Sequence, residues 1–182
     1  MVLLILLLAV LILPATAQTG VEPEFISGGV YLEQERMVKP RGDIEFNAES
    51  LAQEILLLTN RVRRENGLPE LERHPALEGA AGEHSREMRR LNYFSHSSPT
   101  TGRETARKRV QMFGLNPRLV SENIFECSGY DLTVVARIAL ESFMNSPGHR
   151  KNMMNNTITH IGIGVCESEG SVSVTQVFGA GL

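Results

Sequence analysis

The chain has 182 residues, 42% of them hydrophobic, which is enough for one domain with a substantial core and too few for two comfortable ones. With 18 Lys and Arg against 21 Asp and Glu, the formal charge is -3, a balance that suits a soluble protein and argues against a dedicated nucleic-acid binder.

The run from Met1 to Ala15 is apolar and carries no charged side chain, and Ala15-Thr16-Ala17 has the small-residue pattern of a signal-peptidase site. Residues 1–17 are therefore expected to be a signal peptide, with the mature chain secreted or extracytoplasmic. The run is shorter than the ~20 residues that span a bilayer, so a retained anchor is the alternative and no stable membrane span is expected in the mature chain. Residues 18–46, with Pro23, Gly28-Gly29, Pro40 and Gly42 among scattered charges, read as a spacer.

The domain, 47–182, begins where Leu51, Ile55, Leu58 and Val62 recur at helical spacing, with Asn47 or Ser50 as the cap and Gly67 as the stop. Pro75 opens a second helix with Leu77, Ala81, His84, Met88 and Leu91 on one side, so His84 is expected to be a core histidine with a satisfied hydrogen bond. Tyr93-Phe94-Ser95-His96 follows, and the two aromatics are expected to bury and thereby position His96. Gly102 to Phe113 reads as a third helix with Ala106, Val110 and Phe113 inward. The basic residues Arg103, Arg107, Lys108 and Arg109 are assigned to a solvated face. Leu119 to Phe125 has extended character, and Glu122 within it is a carboxylate among apolar neighbours that needs a partner. Asp131 caps a fourth helix carrying Val135, Ile138, Ala139 and Phe143, and Ser146-Pro147 restarts the helix directly after it.

The end of the chain changes period. Ile161–Cys166 and Ser171–Phe178 are β-rich runs joined by a turn at Gly170, which reads as an antiparallel hairpin. Helices first and strands last give an α+β domain with helices packed on a small antiparallel sheet. In an oxidising compartment Cys127 and Cys166 are expected to pair as a disulfide, two free thiols being the alternative.

The chemistry converges on Asn145 to Met153. Ser146 as N-cap and Pro147 at the first helical position place His149 at the third, where the positive end of the helix favours a neutral imidazole, a ligand or proton acceptor near neutral pH. The Ser146 hydroxyl is expected to accept the His149 N–H, which makes it a poor nucleophile. His96, Glu122 and His84 are the other groups that stand out, and two histidines with a carboxylate is a set that catalytic zinc sites use. No G-x-S-x-G elbow, H-E-x-x-H or phosphate-binding loop occurs.

Leu58-Thr59-Asn60-x-Val62-Arg63-x-Glu65-Asn66-Gly67-Leu68-Pro69, Phe94-Ser95-His96, Glu122-Asn123-Ile124, Ser146-Pro147-Gly148-His149-Arg150-x-Asn152-Met153, Ile161-Gly162-Ile163-Gly164-Val165 and Val174-Thr175-Gln176-x-Phe178 follow one another in that order. Over roughly residues 48 to 182 the chain resembles the CAP superfamily of cysteine-rich secretory, antigen 5 and pathogenesis-related proteins (the SCP domain), in its compact microbial branch. The resemblance implies an α-β-α sandwich with a small antiparallel sheet flanked by helices, and a central cleft with His96, His149 and Glu122. The second acidic position of larger members is here Ser146, which counts against a two-carboxylate mechanism. Two functions follow as expectations: a secreted binding module, in which His96 and His149 hold a divalent metal such as zinc and the cleft takes a lipid or cell-envelope ligand, or a metal-assisted hydrolase of the protease or esterase kind. In the first, Glu122 and Ser146 stand behind the two histidines.

Overall fold

A computed structural model describes residues 47–182; the expected signal peptide and spacer lie outside the described residues. The elements in order are α1 (Ala48–Glu65), β1 (Glu72–Arg73), α2 (Pro75–Leu91), α3 (Ala106–Met112), β2 (Leu119–Ser128), α4 (Leu132–Asn145), α5 (Pro147–Met153), β3 (His160–Ser168) and β4 (Ser171–Ala180). They form an α-β-α sandwich around one four-stranded sheet of order β1-β3-β4-β2. The sheet is mixed, because the short β1 pairs parallel with β3 while the other two pairings are antiparallel.

The turn chemistry explains the boundaries. At the start of α1 both candidate caps act together: Asn47 Oδ1 accepts from the Ser50 N–H, and Ser50 Oγ accepts from the Asn47 N–H, a reciprocal capping box. Between β3 and β4, Glu169 and Gly170 both have positive φ, 53° and 71°, the two-residue turn whose twist suits a hairpin. The third helix is shorter than its periodicity predicts. Gly102 has φ of 86°, outside the helical region, and Thr105 supplies the N-cap, so α3 starts at Ala106.

The two faces of the sheet carry different cores. Leu51, Ile55, Phe125, Val135, Phe143, Val174 and Phe178 fill the space between the sheet and the α1/α4 layer. Leu77, Ala80, Ala81, Val110 and Val177 form a smaller cluster under α2 and α3. There the contact is backbone to backbone, since a Cβ at Gly162 or Gly164 would lie 2.0 or 2.2 Å from carbonyl carbons of α2. Those two glycines let α2 sit directly on β3, and an alanine at either would force the layers apart.

The register also corrects the disulfide expectation. Cys127 lies opposite Val172 of β4 and Cys166 lies opposite Ser173, so the two cysteines flank β4 from strands on either side of it. Two strand spacings are about 9–10 Å, beyond the ~7 Å limit for bridged Cα atoms. Val172 and Ser173 are adjacent, so the cysteines also point to opposite faces of the sheet. Both are free and partly buried.

Candidate functional site

β2 is an edge strand, hydrogen-bonded only to β4 among the described residues. Its side chains alternate between the layers. Glu122 faces α2 and α3, where it meets Arg109 and His84; Asn123 faces α5 and α1. The site gathers around these two consecutive residues.

Glu122 is 8% exposed, and both its oxygens are engaged. Oε2 accepts from Arg109 at 2.6 Å, and Oε1 lies 2.9 Å from His96 Nδ1. A carboxylate can only accept, so His96 is protonated on Nδ1, and in the neutral ring Nε2 carries the lone pair. Arg109, 2% exposed, also donates to the carbonyl oxygens of Arg103 at 2.8 Å and His96 at 3.3 Å, and so fixes both the backbone and the imidazole of His96. The expected solvated role for Arg109 is therefore wrong. Ala106, Arg109, Val110 and Phe113 have the i, i+3, i+4, i+7 spacing of one helix face, and an arginine on that stripe was the available signal.

The loop that delivers His96 hangs on a second buried carboxylate. Asn92 closes α2 in the left-handed conformation, with φ of 51°. Glu87, 2% exposed, accepts from Tyr93 Oη at 2.7 Å and Thr100 Oγ1 at 2.6 Å. Burial pushes the Glu87 carboxyl up, but hydrogen bonds from Ser98, Thr100 and Tyr93 outweigh it and leave the group below the usual range. The Tyr93 hydroxyl, partly buried and bonded to Glu87, is pushed up to about 12. Phe94 does not bury as expected; it remains 50% exposed, and His96 is positioned by polar anchors.

His84, fully buried, lies in the core as its helix face predicts, but its hydrogen bonding is only half satisfied: Nε2 is 3.0 Å from the Ser95 carbonyl and 3.8 Å from Glu122 Oε1, while Nδ1 is buried without a hydrogen-bond partner. Burial holds its pKa below the ordinary histidine value.

His149 arrives from the other layer on α5. Its ring packs edge-on to Phe143 at 5.4 Å, and its centroid is 6.1 Å from that of His96. Its Nδ1 is buried without a hydrogen-bond partner. Burial, and then the nearby His96, lower its pKa. The neutral imidazole expected at His149 is thus favoured by burial and by its neighbour. The expected Ser146 cap does not form: Ser146 closes α4 through its N–H to the Ser142 carbonyl and opens α5, but its hydroxyl makes no capping hydrogen bond. A residue shared by two helices has its backbone fixed from both sides, and the hydroxyl is not aimed at the first-turn amides. At the other end of α5, the buried Arg63 donates to the carbonyls of Met153 at 2.6 Å and Asn155 at 3.0 Å, tying α5 to α1.

Residues 56–178 match the family described as cysteine-rich secretory protein family, CAP. The chain belongs to the CAP family. The YkwD protein of Bacillus subtilis (strain 168) is 37% identical over 125 residues, 69% of this chain and 46% of that protein. A crystal structure of an extracellular SCP-domain protein from Bacillus anthracis superposes with a TM-score of 0.64 at 34% identity, covering 73% of this chain and 41% of that one. An outer surface protein of Borrelia burgdorferi shares the fold at 20% identity, with a TM-score of 0.63 over 76% of this chain and 97% of that one. The CAP domain here spans less than half of either Bacillus relative.

Of the site residues expected from the sequence, the structure brings His96, His149 and Glu122 together and leaves Ser146 one helical turn from His149 without a side-chain partner role in the cap. Among the described residues no group of three or more His, Cys, Asp or Glu is arranged to hold a metal ion. The imidazole pair is the donor set that could hold a cation, since each ring has a nitrogen with no protein hydrogen-bond partner among the described residues. Glu122 is spent on Arg109 and His96. Among the described residues no helix is long and apolar enough to cross a membrane.

Proposed function

We propose that this CAP domain is an extracytoplasmic binding module in which His96 and His149 hold an exchangeable divalent cation, with zinc the best match to two neutral imidazoles. The observation that carries the reading is the wiring of His96. Its Nδ1 is committed to Glu122, and Glu122 is committed to Arg109, which leaves Nε2 as the ligand nitrogen of the neutral ring, and the ring centroid lies 6.1 Å from that of a second imidazole whose pKa burial lowers. Two nitrogens make a weak site, so the metal exchanges. The apolar run and Ala15-Thr16-Ala17 support export.

A lipid or cell-envelope ligand has one foothold. A half-open cleft of about 280 Å³ lies between Glu83, Arg103, Arg109, Met112 and Phe113, and it shares Arg109 with the histidine site. The hydrolase reading is weaker, because both oxygens of Glu122 are already occupied and, among the described residues, no activated nucleophile adjoins the histidines. Zinc titration by calorimetry tests the reading: His96→Ala and His149→Ala abolish binding with little loss of fold, and Glu122→Gln weakens it. Equal binding by the wild type and the double-histidine variant would leave both as structural residues.

A further inference from the structure

His96 and His149 belong to opposite layers of the sandwich, and nothing in their own side-chain contacts fastens one ring to the other. We infer that Asn123 and Asn152 are positioning residues for this pair, because they tie the backbone carrying His149 to the strand whose neighbouring residue, Glu122, holds His96. The inference rests on the reading of the pair as a cation site only for its zinc measurement.

Asn123 is fully buried, and its Nδ2 donates twice, to the His149 carbonyl at 3.2 Å and to Gln176 Oε1 at 3.1 Å. Asn152, on α5 one turn beyond His149, also donates twice, to the Glu122 carbonyl at 3.0 Å and to Asn123 Oδ1 at 2.9 Å. Gln176 Nε2 donates onward to Thr59 Oγ1 at 3.0 Å, and Thr59 donates to the Ile55 carbonyl at 2.7 Å. The bonds from Asn152 to Asn123, Gln176, Thr59 and Ile55 run one way, from α5 through β2 and β4 to α1, while the second Asn123 N–H returns to the His149 carbonyl, so the orientation of each amide is fixed and both N–H groups of Asn123 and of Asn152 are used.

The geometry makes the network a spacer for the site. A strand sends Glu122 and Asn123 to opposite faces, so their partners meet only by reaching round the open edge of β2. Asn152 closes that edge, because it binds the outward carbonyl of Glu122 and the side chain of Asn123 at once. Without it, α5 keeps its packing through Met153 and its Arg63 cap, but the end of the helix that carries His149 loses its register against Glu122. The hydrogen bonds of Asn123 and Asn152 go to backbone carbonyls and to each other and Gln176, not to either imidazole, so they act through the backbone.

The test compares Asn152→Ala with Leu77→Val, a core change in the other layer that lowers stability without touching α5. In the metal-free, full-length protein, Asn152→Ala is expected to shift the ring-proton resonances of His149, which sense the adjacent Phe143 ring, while those of His74 and His160 stay in place. Leu77→Val is expected to leave the His149 signals unmoved. With zinc ions as the probe, affinity in Asn152→Ala is expected to fall by about tenfold, the cost usual for losing a residue that orients a ligand. A folded Asn152→Ala with wild-type His149 resonances overturns the inference, as does an equal shift in Leu77→Val. If the alanine variant does not fold, Asn152→Asp, which keeps the shape and removes both donors, takes its place in both measurements. Should the wild type bind no zinc, the cation reading fails, and the ring-proton comparison alone decides for or against the two asparagines.

Discussion

The domain contains two imidazole pairs at nearly the same separation. His96 and His149 have ring centroids 6.1 Å apart, and His74 and His160 are 5.8 Å apart. Their wiring differs. His74 Nδ1 accepts the Ala76 N–H at 3.2 Å as the N-cap of α2, so in the neutral ring Nε2 carries the proton and is a donor, not a ligand. His160 is 3.8 Å from Glu72, whose side chain is 84% exposed, and its Nδ1 meets Thr159 Oγ1 at 2.8 Å. At His96 the carboxylate is 4% exposed and is locked in turn by a buried arginine. Separation alone does not make a site. What the other nitrogen is committed to decides whether a lone pair is left over.

The largest expected effect separates the two pairs by stability. Arg109→Ala leaves Glu122 buried without its cation and is expected to cost about 3–5 kcal/mol. Glu72→Ala, at the exposed pair, is expected to change stability by less than about 0.5 kcal/mol. Denaturant unfolding of both variants checks this, and similar costs would show that the Glu122 locking is not special.

Next is the pH response. Burial lowers the pKa of both His84 and His149 below the ordinary value of 6.5. His84 faces Glu122, Arg109 and Glu87, and His149 faces His96, but desolvation is the largest influence on each. A depressed histidine pKa means that the unfolded chain binds more protons, so stability is full above 6.5 and falls as pH drops from there toward the folded-state values. Glu87, depressed for a carboxyl, adds a further loss as pH falls below 4.5. Melting temperatures between neutral and mildly acidic pH are expected to decline in the wild type and to decline less in His149→Asn. An identical slope in the two proteins would remove His149 from the account.

The smallest effect is an expected zero. A disulfide between Cys127 and Cys166 would close a loop worth about 4 kcal/mol in chain entropy. With the cysteines on opposite faces of the sheet, reductant is expected to leave the melting temperature unchanged, and two thiols should alkylate in the unreduced, denatured protein.

Much of the fold was legible because its signals are local: the capping residues at Asn47, Pro75 and Asp131, the helical spacing of Leu51, Ile55 and Val62, and the alternation around Gly170. The motif order also placed His96, His149 and Glu122 in one cleft. What the sequence did not reveal depends on register and partner choice across long separations. Arg109 lay hidden in a basic cluster, although its spacing from Ala106 put it on the buried stripe. Asn123, Asn152 and Gln176 stand within the quoted motifs, but that they bond to one another is visible only once the pairing of Asn123 with Gln176 on neighbouring strands is known. The disulfide expectation failed for the same reason, since compartment and cysteine count say nothing about which strand lies between two thiols.

The central claim, that wiring distinguishes the two pairs, is tested most directly by nitrogen NMR of the imidazoles with and without zinc ions. The account predicts His96 as the Nδ1-protonated tautomer and neutral His74 as the Nε2-protonated one, with zinc perturbing the nitrogens of His96 and His149 and leaving those of His74 and His160 unchanged. His96 protonated on Nε2, or zinc acting on His74 and His160, would contradict it.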